Sequence, residues 1–355
     1  MSRVIKYGII GNGRIGRSHA QEMAGYPGKF ELVACADHVP ERRENLPKEY
    51  ANAEKYASLE EMLKNDAIEM VTIATRHPDH VPMALQIMAA GKIAVVEKPV
   101  ACSTAEMELL RQASAKHPGK LFFRHNRRFE AAFIKVRELC DSGLIGDVQY
   151  IKLYRSVGYC RRNDWMTMTE FFGGLLSNWG PHLIDQALCF LDSPVTEVWA
   201  DVRRVISIGD GDDIFKIILR GANGRLADVE VAGCNAMPGR EMEIVGSKGT
   251  IVFNGGPVID VRHLDPATKL VSTTPHPENA GLAYGNFEEK LYFVEAKYQV
   301  PAIPMSIIWS HLYDAVVNGV PFPVTFDQAY NVVKVTEQAF TKSGFAAIKN
   351  YKSKA

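Results

Sequence analysis

The chain opens on an apolar run, Val4-Ile5-Lys6-Tyr7-Gly8-Ile9-Ile10, that reads as a buried strand, and a helical pattern runs from Arg17 to Ala24. The alternation then repeats. Phe30 to Ala36 reads as a second strand, followed by a polar, helix-like segment to Tyr50. Ser58 stands as N-cap to a short helix, with Glu61 at the capping-box position. Met70 to Ala74 is almost continuously apolar, as a strand covered on both faces must be. A helix from Asp79 to Ala90 ends at Gly91, a C′ glycine. Strand Ile93–Val96, helix Ser103–Ala115 and strand Leu121–Phe123 complete the series. This alternation predicts an α/β, doubly wound parallel sheet over residues 3–124.

The texture changes after that. Ala131 to Cys140 is helical, and strand patterns then dominate: 149–154, 195–205, 214–219, 226–231, 241–244 and 249–253. Turn signals at Ala222-Asn223-Gly224 and Gly246-Ser247-Lys248 separate neighbours. The expectation is an α+β domain with a large, mostly antiparallel open sheet, one face covered by helices. Asp327 to Thr341 is an amphipathic helix, and Asn350 to Ala355 a loose polar tail. The reading divides the chain into 1–124 and 125–355, with the C-terminal helix returning to the first part.

Composition narrows the class. Of 355 residues, 46% are hydrophobic and 23% charged, and 41 basic side chains balance 41 acidic ones. Neither nucleic acid nor a membrane surface is implied by such a balance. No apolar stretch reaches the ~18 residues of a bilayer span. The six cysteines are scattered without C-x-x-C pairing, and the start runs into a strand without a signal peptide, which together suit a cytoplasmic protein without a structural metal.

Chemistry concentrates at strand ends. Gly11-Asn12-Gly13-Arg14-Ile15-Gly16 follows the first strand and opens the first helix: the G-x-G-x-x-G fingerprint of dinucleotide binding in its proper context. Gly11 serves the turn, Gly13 the approach of a pyrophosphate, and Gly16 close helix–strand packing. Asp37, ending the second strand, stands where a carboxylate holds the adenosine ribose; it leans toward NAD, with NADP left open by Arg42 and Arg43. Its other reading is a cap for the next helix. Thr75, His77 and His80 follow another strand end and, with Glu97 and Lys98, are expected at the cofactor site. Glu97-Lys98-Pro99 closes a parallel strand, so Lys98 points toward the same crevice unless it is a plain surface lysine. Pro99 restricts Lys98 to extended backbone and admits a cis bond.

A second unusual stretch runs from Gly173 to Asp185. His182 and Asp185, three apart, share a helix face, and Asn178 joins them if the helix begins early; Pro181 equally suits a helix starting near Gly180. His182 suits proton transfer with Asp185 orienting it, or is a satisfied core histidine. Arg127 and Arg128 either bind an anionic substrate group or tie the halves together. Tyr154, Arg155, Tyr159, Arg161, Arg162, Asn163, Asp164 and Trp165 suit a sugar ring or an ordinary loop. Asp213 and His311 are further candidate contacts.

The fingerprint, Asp37, Glu97-Lys98-Pro99, His125-Asn126-Arg127-Arg128-Phe129 and the Gly173–Asp185 block, in this order, resemble the glucose-fructose oxidoreductase / inositol dehydrogenase / rhizopine catabolism (Gfo/Idh/MocA) family over nearly the whole chain. The resemblance implies a Rossmann domain, a second domain whose sheet makes a homodimer or homotetramer, and NAD(P)-dependent oxidation of a hydroxyl on a sugar, cyclitol or glycoside. It implies that Lys98 and His182 are catalytic. Many members carry aspartate where this chain has Asn178, and an amide cannot relay a proton. Proton abstraction then falls to His182, or to Lys98 if its pKa is lowered. Two alternatives follow: an NAD-dependent glycosidase that oxidises its sugar transiently, and a non-catalytic nucleotide sensor.

Overall fold

The computed structural model describes residues 3–44, 46, 50, 52–237, 239–279 and 289–345. The helix-like segment expected up to Tyr50 falls partly, and the polar tail from Asn350 wholly, outside the described residues.

The first sheet contains β1 (Ile5–Ile10), β2 (Phe30–Ala36), β3 (Glu54–Tyr56), β4 (Met70–Ile73), β5 (Ile93–Glu97) and β6 (Leu121–Arg124). Their order is β3-β2-β1-β4-β5-β6, with every neighbouring pair parallel. Between them lie α1 (Arg14–Ala24), α2 (Pro40–Glu44), α3 (Leu59–Leu63), α4 (His80–Ala89) and α5 (Thr104–Lys116). Every position of β4 and β5 is buried, which accounts for their unbroken apolar runs. The strand order reverses between β1 and β4, so their carboxyl ends open a crevice there. Gly11 follows β1, Thr75 follows β4 and Lys98 follows β5, at the same edge of the sheet.

Two local expectations change. Helix α1 starts at Arg14, inside the glycine motif and three residues before the apolar periodicity predicts. Ser58 does cap α3, accepting from Glu61 N at 3.2 Å, but the Glu61 carboxylate accepts from Ala57 N rather than from Ser58 N. A complete capping box instead opens the last helix, between Thr325 and Gln328.

The second half begins with α6 (Ala131–Asp141), β7 (Val148–Ser156), α7 (Leu175–Asn178) and α8 (Gly180–Leu191). Then come β8 (Val195–Arg203), β9 (Ile214–Gly221), β10 (Leu226–Ala232), β11 (Met242–Gly246), β12 (Gly249–Phe253), β13 (Val258–Leu264) and β14 (Phe293–Gln299). The chain closes with α9 (Ile307–Asn318) and α10 (Phe326–Ser343). The eight-stranded sheet runs β14-β13-β12-β11-β7-β10-β9-β8 and is antiparallel except between β7 and β10. β3, β13, β14 and α9 are additions to what periodicity predicts.

Helices α8 and α10 pack on one face of this sheet. Register places Tyr150 near the middle and Trp199 and Phe293 at the two edges of the other face, where all three are exposed. Two cores form. The first surrounds the parallel sheet and takes in Ile308, Trp309, Leu312 and Tyr313 of α9 with Ala329 and Val333 of α10. The second takes Val332, Val335, Ala339 and Phe340 from the same α10. Among the described residues, no helix is long and apolar enough to cross a membrane.

Candidate active site

The phosphate-binding end is built by backbone. Gly11 adopts φ +92°, and a Cβ on Gly16 would collide with the Gly11 carbonyl oxygen, so the turn folds tightly against α1. A Cβ on Gly13, by contrast, would meet nothing within 4 Å. That open space faces the start of α1, which has no side-chain cap and no acidic residue in its first turn. Unclaimed N–H groups and the positive helix end suit a pyrophosphate. Asp37 closes the other side: Oδ2 accepts from Asn12 N at 2.8 Å and Oδ1 from Val39 N at 2.9 Å. Its carboxylate therefore lies beside the glycine turn; the Val39 amide precedes α2, so that contact closes a local turn and does not cap the helix. Asn12 Nδ2 donates to Arg42 O, while Arg43 donates to Asp37 O, so both arginines follow Asp37 closely. Arg14 is exposed and Ile15 half-buried at the helix start. These groups fit a dinucleotide.

Lys98 stands at the end of β5, followed by a cis Lys98–Pro99 bond. Its Nζ donates to Asn178 Oδ1 at 2.8 Å and to Asn178 O at 3.0 Å. Burial pushes Lys98 down to about 8; Glu97 pulls it up, and the guanidiniums of Arg127 and Arg124 push it down further. Glu97 itself faces away, into a buried network: its Oε1 accepts from His19 of α1 at 2.9 Å and from Arg124 of β6 at 2.6 Å. Arg124 also donates to Glu22, which accepts from the Trp309 indole of α9. Burial works against the Glu97 charge, but Arg124 and His19 outweigh it and hold the carboxyl well below its ordinary range. Glu97 thus braces Lys98 from behind, its carboxylate fully engaged by protein groups.

The other wall comes from α7 and α8. The helix divides at Trp179: Asn178 ends α7 and Gly180 opens α8, so Asn178 and His182 belong to adjacent helices. Gly174, at φ +115°, lets Asp212 close on the start of α7, where Asp212 O accepts from Leu175 N and Oδ2 from Leu176 N. His182 is buried, and its Nδ1 has no protein partner. Burial, then the charges of Lys98 and Arg127, hold it well below its ordinary pKa, so the imidazole is neutral.

Asp185 does not orient that imidazole. Its carboxylate is gripped by Arg128, with Oδ2 accepting from Nε at 3.0 Å and Oδ1 from Nη2. Arg128 also donates to Pro323 O and Gln328, tying α8 to α10. Arg127 pairs with Glu130 and lies 4.4 Å over the Trp179 ring, with Arg155 at 5.4 Å from the same ring. Trp179 in turn meets His182 edge-on, 5.8 Å between centroids.

The remaining candidates spread out. His77 Nδ1 bonds Phe172 O at 2.9 Å, and its ring meets Trp165 at 4.9 Å, bridging the halves beside the crevice. His80 Nδ1 bonds Pro99 O, so it supports the Lys98 turn. Thr75 Oγ1 contacts the Met83 sulfur. Tyr154 bonds the Asn235 amide. Asp213 accepts from the backbone N–H groups of Val205, Ile206 and Ser207, and His311 packs on Phe129; both hold structure. Among the described residues no cluster could hold a metal ion.

Two family models match this architecture: an oxidoreductase family with an NAD-binding Rossmann fold over residues 5–125, and the GFO/IDH/MocA C-terminal domain over 133–252. The chain belongs to the GFO/IDH/MocA oxidoreductase family. This family member is 24% identical over 351 residues to the scyllo-inositol 2-dehydrogenase (NADP(+)) IolW of Bacillus subtilis (strain 168), covering 96% of this chain and 94% of that protein. It is 28% identical over 253 residues to the inositol 2-dehydrogenase of Rhizobium meliloti (strain 1021), covering 70% and 74%. In fold it resembles an NAD-binding protein from Listeria innocua, with a TM-score of 0.80 at 23% identity over 96% of this chain and 95% of that one. It also resembles GenD2 from gentamicin A biosynthesis in complex with NAD, with a TM-score of 0.74 at 22% identity, covering 97% and 95%.

Sequence reasoning overlooks three supports of this GFO/IDH/MocA site: His19 with Arg124, the Trp179 stack, and Asp212. Only Asp212 leaves a local signal, as an acidic residue beside Asp213 matched to the paired glycines Gly173 and Gly174. The others depend on contacts between distant strands and helices.

Proposed function

We propose that the protein is an NAD(P)-dependent dehydrogenase that oxidises a secondary hydroxyl of a sugar, cyclitol or glycoside. The observation that carries this is Lys98, held at 2.8 Å from the Asn178 amide oxygen across the crevice and tuned to about 8. The inositol dehydrogenases among its relatives support the substrate class.

The bound nicotinamide supplies the hydride acceptor. Gly11, Gly13 and the N-terminus of α1 would hold the pyrophosphate of the dinucleotide, and Asp37 its adenosine ribose. Lys98 has three N–H hydrogens as an ammonium and gives two directions to Asn178, leaving the third for the substrate oxygen. As the neutral amine it accepts the hydroxyl proton. A base works best with a pKa near the operating pH, which favours Lys98 over His182, whose lowered pKa makes the imidazole the weaker base. The neutral His182 orients the hydroxyl by a hydrogen bond. Trp179, Arg127 and Arg155 fix that imidazole from the side.

The same reading takes the exposed Tyr150, Trp199 and Phe293 face of the large sheet as a contact between copies of this chain. The deciding experiment is a panel of cyclitols, hexoses, uronates and glycosides with NAD and NADP, followed by nicotinamide absorbance. On the substrate so found, Lys98→Ala lowers kcat by about 10²–10⁴-fold with nucleotide affinity nearly unchanged. Near-normal turnover of that variant would sink the proposal.

A further inference from the structure

A cavity of about 440 Å³ opens away from the crevice, between the second half of α8, the start of β8 and the outer face of α10. This size lies within the usual range for small-molecule sites. None of Lys98, Asn178 or His182 lines it.

Its charges are unevenly satisfied. Four cationic side chains, Arg128, Arg137, Lys334 and Lys342, line it against two carboxylates, Asp185 and Asp192. Arg128 is occupied by Asp185, and Arg137 by Cys189 O and Asp141. Asp192 sits exposed at the chain reversal after α8. Lys334 and Lys342 have no hydrogen-bond or ion-pair partner among the described residues. They stand eight residues apart on α10 with Gln338 midway, all on one face. Eight residues span about 12 Å of helix. Each lysine side chain extends about half that distance, so an anion above Gln338 lies within reach of both. Two ammonium point charges within reach of one anion match a dianion better than a monocarboxylate. The neighbouring Asn331, Gln338 and Thr196 supply amide and hydroxyl groups suited to alcohol oxygens.

We propose that this cavity binds a small hydroxylated metabolite carrying a phosphate monoester, with the phosphate between Lys334 and Lys342 and the hydroxyls along Asn331, Gln338 and Thr196. The site is separate from the nucleotide crevice and from the hydroxyl-oxidising residues.

Isothermal titration calorimetry on the whole protein with saturating NAD, which keeps the probes off the start of α1, tests it. The probes are a hexose 6-phosphate, inorganic phosphate and the unphosphorylated hexose. The hexose 6-phosphate is expected to bind at least tenfold more tightly than either fragment. Lys334→Gln with Lys342→Gln, two exposed positions, is expected to weaken it at least tenfold while thermal stability stays unchanged. Binding of the hexose 6-phosphate no tighter than inorganic phosphate, or undiminished in the double variant, overturns the proposal. So does the absence of any binding heat and of any thermal shift with that probe.

Discussion

Lys98 and Asn178 are far apart in sequence and 2.8 Å apart in the fold, and the chemistry of each depends on the other. The amide accepts from the lysine without bearing a charge, so only Glu97 works against the burial that pushes Lys98 down to about 8. Asn178→Asp places a carboxylate at that distance. An opposite charge favours the ammonium, so the Lys98 pKa rises, by about 1–2 units. On the proposed mechanism oxidation needs the neutral amine, so its rate is expected to climb with pH below the Lys98 pKa and level above it. The variant's kcat/KM profile is therefore expected to shift to higher pH by that amount, with about 10-fold or more lost near pH 7. An unshifted profile would show that another group takes the proton. Asp185 teaches the complementary lesson. Its spacing from His182 is helical, yet a bidentate contact with Arg128 from a distant segment claims it, because a buried carboxylate goes to the nearest fixed cation that can satisfy both oxygens.

At the scale of elements, the first turn of α1 separates two jobs that the glycine motif merges. A methyl at Gly13 projects into open space, so Gly13→Ala is expected to leave the melting temperature within a few degrees while weakening NAD binding at least tenfold, read by fluorescence titration. A methyl at Gly16 strikes the Gly11 carbonyl, so Gly16→Ala is expected to lower stability by about 1–3 kcal/mol in chemical denaturation, as overpacking does. Equal behaviour of the two variants would contradict this division. The elements themselves are unevenly legible. β4 and β5 announce themselves because both faces are buried. β14 does not: it is an edge strand with most positions exposed, so no buried stripe marks it. The helix α9 is masked by its own sequence, Ile307-Ile308-Trp309 and Val316-Val317, where β-branched pairs fit a strand as well as a helix. Of the site, Gly11–Gly16, Asp37 and Lys98 are readable because each sits at a strand end or in a glycine-marked turn, and His182 because it follows the Gly180-Pro181 start of α8. The brace of His19, Glu97 and Arg124 is not, since it joins α1, β5 and β6 through contacts no local pattern records.

For the whole molecule, the decisive fact is that the chain crosses between its two cores more than once. Trp309 is fully buried in the first core, meets His19 at 5.2 Å and donates to Glu22. Trp309→Ala is expected to cost about 3–5 kcal/mol, measured by urea unfolding, and to reduce nucleotide affinity by loosening the α1–β5 brace. A loss below about 1 kcal/mol would mean that α9 contributes little to this half.

The order of synthesis gives that crossing a further meaning. All six strands of the nucleotide-binding sheet are synthesised before residue 130, yet the helix that seals one flank is made only from residue 307 on. At about 5–20 residues per second, roughly 10–40 s separate the two events. Through that interval the half-built lobe carries an uncovered apolar flank where Trp309 will later sit, so the nascent chain offers a chaperone a target that the finished protein conceals.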